Sequence, residues 1–102
     1  SDNISRMAER CSIMLQQVME AYANRDDEQA MDIAAQDNVL DKLHEDVVNN
    51  LISEMCSDAG LVLCKTSVMW IAHNLERIGD RITNISERII FMTSGKNLDL
   101  NR

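Results

Sequence analysis

Four acidic side chains stand in two pairs, each at the spacing that puts both members on one face of a helix. Asp37 and Asp41 bracket Asp37-Asn38-Val39-Leu40-Asp41, and Glu76 and Asp80 lie within Leu75-Glu76-Arg77-Ile78-Gly79-Asp80-Arg81-Ile82. Like charges four residues apart cost a helix roughly 0.2–0.5 kcal/mol. Gly79, beside Asp80, costs about 1 kcal/mol relative to alanine in a helix interior. A segment that carries both costs gains something in return: a bound cation, a basic partner, or close backbone approach at the glycine. Two neighbouring helices that each offer an acid-x-x-x-acid pair bring four carboxylates toward one point. Calcium, magnesium and manganese take such oxygen ligands, and carboxylate-bridged iron fits as well. Glu45 extends the acidic row, and His44 offers one nitrogen ligand.

The spacing has a plainer reading. Acidic residues at i,i+4 are common on solvated helix faces. Arg77 stands three residues before Asp80, where a surface ion pair contributes under about 1 kcal/mol. For His44 the simpler role is a core histidine hydrogen-bonded to Asp37 or Asp41. Catalytic constellations are missing from the sequence. There is no phosphate-binding glycine loop and no nucleophile elbow. Di-iron bundles use Glu-x-x-His on two helices, whereas Asp41-x-x-His44 occurs once and His73-x-x-Glu76 runs in the opposite order. No cysteine has a histidine within a helical turn. The residue set argues against an enzyme.

Three helices must position these groups. The first is expected over 4–23, with Ile4, Met7, Cys11, Met14, Val18 and Ala21 alternating at three and four residues as a heptad-like seam. Asn24-Arg25-Asp26-Asp27 breaks the pattern, and Asp26 or Asp27 suits the next N-cap. The second helix is expected over 28–56, with a seam of Ala30, Ile33, Asp37, Leu40, His44, Val47 and Leu51, polar at Asp37 and His44. Ser57-Asp58 ends it and caps the third, expected over 59–93. That helix carries Leu61, Cys64, Val68, Ile71, Leu75, Ile78, Ile82, Ile85, Ile89 and Met92, with Gly95 as its C-cap. At 1.5 Å per residue it spans roughly 50 Å against roughly 30 Å for the first. The expected fold is an all-α, antiparallel three-helix bundle that is not self-sufficient as a monomer. Ala72, Glu76, Gly79, Thr83 and Ser86 form a stripe of mostly small residues that admits another helix closely. Trp70, outside the strict seam, is read as packing at the bundle edge or as an anchor for a partner.

Composition narrows the classes further. At 102 residues the chain is one domain or a piece of a larger protein, 45% hydrophobic but only 3% aromatic, without proline and with three glycines. Its core is therefore aliphatic and its structure helical. A net charge of −7 argues against nucleic acid as a partner and suits a cation or a basic protein surface. Cys11, Cys56 and Cys64 sit in apolar helical patterns and are expected as buried free thiols in a reducing compartment. No run of 18 apolar residues and no signal peptide is present, so the chain is read as neither spanning nor exported.

The run Ala72-His73-Asn74-Leu75-Glu76-Arg77-Ile78-Gly79-Asp80, continued by Thr83-Asn84-Ile85 to Glu87, closely resembles the signature of PhoU-type phosphate-uptake regulators. Asp27, Ala30, Asp37, Asp41, Leu43 and Glu45 resemble the matching segment of the second helix. The resemblance covers nearly the whole chain as one three-helix repeat, residues 1–102. It implies a fragment of a two-repeat protein, the C-terminal half. It also implies metal, as iron, manganese, magnesium or zinc, at Asp37, Asp41, Glu76 and Asp80. Arg81 departs from the pattern, standing where many members have histidine. By resemblance the protein is a cytoplasmic, non-enzymatic regulator of phosphate transport and phosphate-starvation signalling. Its implied partners are the ATPase subunit of the phosphate ABC transporter and a phosphate-responsive sensor histidine kinase, with peripheral membrane association through them. A homo-oligomer is expected. The alternatives are a structural homo-oligomerisation bundle and a PhoU-like accessory domain of a membrane transporter.

Overall fold

The structure, a computed structural model, describes the backbone of residues 2–100 and side chains through residue 94. Helix α1 spans Asp2–Asn24, α2 spans Asp27–Ser57 and α3 spans Val62–Leu100, with a single 3₁₀ turn at Ala59–Leu61. Each expected helix is present; α1 and α2 extend past both expected ends, whereas α3 starts at Val62, because residues 59–61, expected as its first turn, form the tighter 3₁₀ turn that follows the Asp58 cap. The C-cap expected at Gly95 is not found, because α3 continues through that residue. A glycine weakens a helix without ending it unless the chain turns there.

The breaks are made by capping chemistry. Asp26 accepts the Gln29 amide at 3.1 Å and starts α2. Arg25 takes a positive φ of 54°, while the Asp26 amide reaches back to Ala21 O and the Arg25 amide to Tyr22 O. This is the left-handed helix ending usually given to glycine, with the Arg25 guanidinium over the Tyr22 ring at 5.4 Å. Asp58 closes α2 through its amide to Glu54 O and opens the next turn by accepting the Gly60 amide.

The helices run up, down and up in a body of 60 × 25 × 16 Å. Cys11 against Leu75 at one level and Arg25 against Met92 at another set α1 and α3 parallel, each antiparallel to α2. Every seam residue of α1 from Met7 onward is buried, as are Ala30, Ile33, Leu40, Val47 and Leu51 of α2.

On α3 the expected seam is only half right. Ile82 and Ile89 are buried, but Ile71, Ile78 and Ile85 are exposed, and the helix turns Ala72, Gly79 and Ser86 inward in their place. The reason is at Gly79: a Cβ there would collide with Leu40 Cδ2 of α2. The small-residue stripe thus admits a helix of the same chain, and that contact fixes the rotation of α3. Cysteines also differ from expectation. Cys11 is buried, whereas Cys56 and Cys64 are exposed because they lie at the α2–α3 turn, beyond the packed seams.

Candidate metal centre

The buried apolar residues form two clusters. One holds Met14, Val18, Ile33, Ile82 and Ile89; the other holds Met7, Cys11, Leu40, Val47 and Leu51. Asp37 lies between Ile33 and Leu40 on α2, and Gly79 lies between Leu75 and Ile82 on α3, so the polar layer falls where the core is interrupted. Absence of a side chain at Gly79 leaves room there. Asp37 Oδ1 is 3.5 Å from where a Gly79 Cβ would be.

Asp37, Asp41 and Asp80 converge: one carboxylate oxygen from each lies within 4.8 Å of the others. Asp41 and Asp80 are exposed and Asp37 is partly buried. Two observations distinguish this from a solvated acidic face. Asp37 Oδ1 is buried and has no hydrogen-bond partner. Burial raises the Asp37 pKa above the usual aspartate range, and the charges of Asp41, Asp80 and Glu76 push it further. The Thr83 hydroxyl works the other way, but it donates to Gly79 O at 3.0 Å, so turning to Asp37 would give up that bond. Among the described residues Asp80 forms no ion pair, so the surface pairing with Arg77 is not what holds it.

Glu76 belongs to a neighbouring contact. Its Oε2 is 3.2 Å from His44 Nδ1, with both side chains about one quarter exposed. His44 therefore reaches across to α3 and does not bond Asp37 or Asp41 along its own helix. The pair borders a largely apolar groove of about 410 Å³ lined by His44, Val48, Met69, Trp70 and His73 among others. Trp70 stands edge-on to His73 at that rim, 63% exposed. Glu45 is exposed and lies outside the three-carboxylate cluster. The sequence named all three converging aspartates; it did not show that Glu76 is engaged by His44, because that pairing depends on how α2 and α3 rotate about their contact.

Cys11 lies in the same layer. Its thiol donates to Leu75 O at 3.3 Å, and burial, with Asp37 adding to it, raises its pKa. The Gly79 backbone amide pulls it down by less.

Three carboxylates with one buried, unpartnered oxygen fit a hard cation, which takes oxygen ligands and neutralises their mutual repulsion. Among the described residues no helix is long and apolar enough to cross a membrane.

Comparison with known proteins agrees with the fold. The family model described as the PhoU domain matches residues 4–89. The chain is 39% identical over 92 residues to a phosphate-specific transport system accessory protein PhoU homolog of Zymomonas mobilis, covering 90% of this chain and 39% of that protein. A homolog of the same name from Clostridium acetobutylicum is 33% identical over 98 residues, covering 96% and 45%. The crystal structure of PhoU from Pseudomonas aeruginosa superposes with a TM-score of 0.86 at 26% identity, over 89% of this chain and 44% of that one. The chain thus spans less than half the length of these relatives. With the signature on α3, the three-helix architecture and a family match over most of its length, the chain belongs to the PhoU family.

Proposed function

We propose that the chain is a non-enzymatic regulator of phosphate transport and of phosphate-starvation signalling, acting in the cytoplasm through protein contacts and holding a cation at Asp37, Asp41 and Asp80. Support for the pathway comes from relatives whose names describe an accessory protein of a phosphate-specific transport system. One observation carries the cation: a buried oxygen of the Asp37 carboxylate has no partner, and that carboxylate converges with those of Asp41 on the same helix and Asp80 on α3.

Iron, manganese, magnesium or zinc would be held by Asp37 and Asp41 of α2 and Asp80 of α3. Such an ion would supply positive charge to an acidic surface, where donors from a partner could meet it. Glu76 sits beside the site, with His44 holding its carboxylate in place. In this reading the partners are the transporter ATPase subunit and the phosphate-responsive sensor kinase.

The test is elemental mass spectrometry of tag-free protein, followed by binding of the purified ATPase subunit with and without chelator. Stoichiometric metal, lost in Asp37→Asn/Asp80→Asn with helicity unchanged, is expected, together with weaker ATPase-subunit binding. Metal-free protein that binds the subunit equally well in chelator would refute the cation, and absence of binding to the ATPase subunit, and to the sensor kinase assayed in the same way, would refute the regulatory role.

A further inference from the structure

Helix α3 carries a basic stripe on the side it turns away from the bundle. Ala72, Gly79 and Ser86 are buried. At about 100° per residue, the positions two and five places beyond each of them lie on the far side of the helix. Those positions hold Asn74 and Arg77, then Arg81 and Asn84, then Arg88 and Phe91, all exposed. Trp70, two places before Ala72, falls on the same line and is 63% exposed. From Trp70 to Phe91 the steps alternate four and three residues, over roughly 32 Å. No carboxylate interrupts the line. Glu76 meets His44, and Asp80 converges with Asp37 and Asp41, so both face α2. Glu87, seven residues past Asp80, shares that flank.

The arginines of the stripe are unengaged within the fold. Arg10 donates to Gln36, Arg25 lies over Tyr22, Lys42 pairs with Asp46, and Lys65 with Glu54. Among the described residues Arg77, Arg81 and Arg88 form no ion pair. Two open hollows follow one another along the stripe and share Asn84. One, of about 280 Å³, is lined by Arg77, Asp80, Arg81 and Asn84; the other, of about 450 Å³, by Asn84, Glu87, Arg88 and Phe91.

We propose that this stripe is a docking surface for an acidic helix of another protein, laid along α3 with its carboxylates opposite the three arginines and an apolar side chain at each aromatic end. Charge complementarity selects that occupant. A chain of net charge −7 sets three of its basic side chains, all arginine, on one line, where each presents a planar fork of donors matched to a carboxylate. Carboxylates three and four residues apart share one helix face, so a single helix reaches all three arginines. Shape points the same way. The line is one helix wide, with Glu76, Asp80 and Glu87 beside it. A bilayer or a nucleic acid would spread its negative charge over those carboxylates, whereas a helix touches the stripe alone. The contact needs no cation at Asp80, and a peptide tests it without the transporter or the kinase, so its failure and that of the regulatory reading are separate.

Fluorescence anisotropy with the full 102-residue chain, in chelator, is the test. The probe is an alanine-based helical peptide of about 25 residues, with glutamates at three-four spacing on one face and a leucine at each end of that face. Its control has the same composition with the glutamates spread round the helix. The probe should bind about tenfold more tightly than the control or better, less so as salt rises. Arg77→Gln/Arg81→Gln/Arg88→Gln, all at exposed positions, should keep helical circular dichroism and lose that preference, while Arg6→Gln, exposed on α1, should retain it. Arg81→Glu/Arg88→Glu should instead prefer a lysine counterpart of the probe to its own scrambled control. Equal binding of probe and control, binding of neither, or binding that ignores the arginine variants would overturn the proposal. So would arginine-dependent capture of phosphatidylserine vesicles or oligouridine by a chain that leaves the probe unbound, since the stripe would then serve a different polyanion.

Discussion

Asp37→Asn separates what the acidic cluster costs the fold from what it binds. The ligand oxygens of Asp37, Asp41 and Asp80 lie within 4.8 Å of one another. Unit charges at that separation repel by roughly 1 kcal/mol in water and roughly 3.5 kcal/mol at an effective dielectric of 20. Asp41 and Asp80 are exposed, so the lower figure governs each pair, and Asp37 meets two such neighbours. Asparagine keeps the shape, removes the charge and offers N–H donors to the remaining carboxylates. In chelator the variant should therefore be more stable than the parent by about 1–2 kcal/mol, each kcal/mol raising Tm by about 4–8 °C at this size. With manganese at about a hundred times its Kd the parent gains about 2.7 kcal/mol by mass action. The variant gains little, so the order of stability reverses.

Urea unfolding followed by circular dichroism, in chelator and in manganese, reads both effects. The pH dependence adds an independent check. The folded-state pKa of Asp37 is raised by burial and by its acidic neighbours, so the folded chain keeps a proton that the unfolded chain has already released. Stability is then lost as pH rises from the ordinary aspartate range through the raised value. Asparagine at position 37 removes that contribution to the slope. A variant less stable than the parent in chelator, or one with an undiminished manganese shift, would refute the reasoning.

Other perturbations follow from the same geometry. Exposed Cys56 and Cys64 should react promptly with a thiol reagent at neutral pH, while Cys11, buried and with its pKa raised, should react only on unfolding; three equally fast thiols would contradict the packing of α1. Asp26→Ala removes the side-chain acceptor for Gln29 and should cost about 1 kcal/mol in urea unfolding. Gly79→Ala gains about 1 kcal/mol of helix propensity but drives a methyl into Leu40, itself fully buried, and overpacking costs about 1–3 kcal/mol. Its expected result is a net loss of roughly 1 kcal/mol by the same measurement, and a more stable protein would show that the helices do not approach so closely there.

How much of this was legible in the sequence varied with the kind of signal. The seams of α1 and α2 were readable because each helix buries one stripe, and Met7, Met14, Ile33 and Leu40 fall where the three-four alternation puts them. On α3 the pattern misled, since two apolar rows lie close together and periodicity cannot say which one faces inward. The larger isoleucines at 71, 78 and 85 look like core, yet the smaller row of Ala72, Gly79 and Ser86 is buried. Packing distance settled that, and packing distance is not written in hydrophobicity. The aspartates were visible from spacing alone; the diversion of Glu76 to His44 was not, because it is a contact between helices.

Gly79 couples the packing of α3 to the carboxylate cluster. A side chain there would hold α3 away from Leu40, and the distance from Asp37 on α2 to Asp80 on α3 would grow with it. The residue that weakens α3 locally is therefore what brings its carboxylate to those of α2. The same close approach desolvates Asp37 and leaves Oδ1 without a partner. Fold and site are coupled in sign: any substitution at position 79 that separates α2 from α3 should lower the Asp37 pKa toward its ordinary value and weaken cation binding together. Measured by the manganese-induced stabilisation and its pH dependence, Gly79→Ala must lose both in parallel. Loss of one with retention of the other would mean that the glycine serves packing alone.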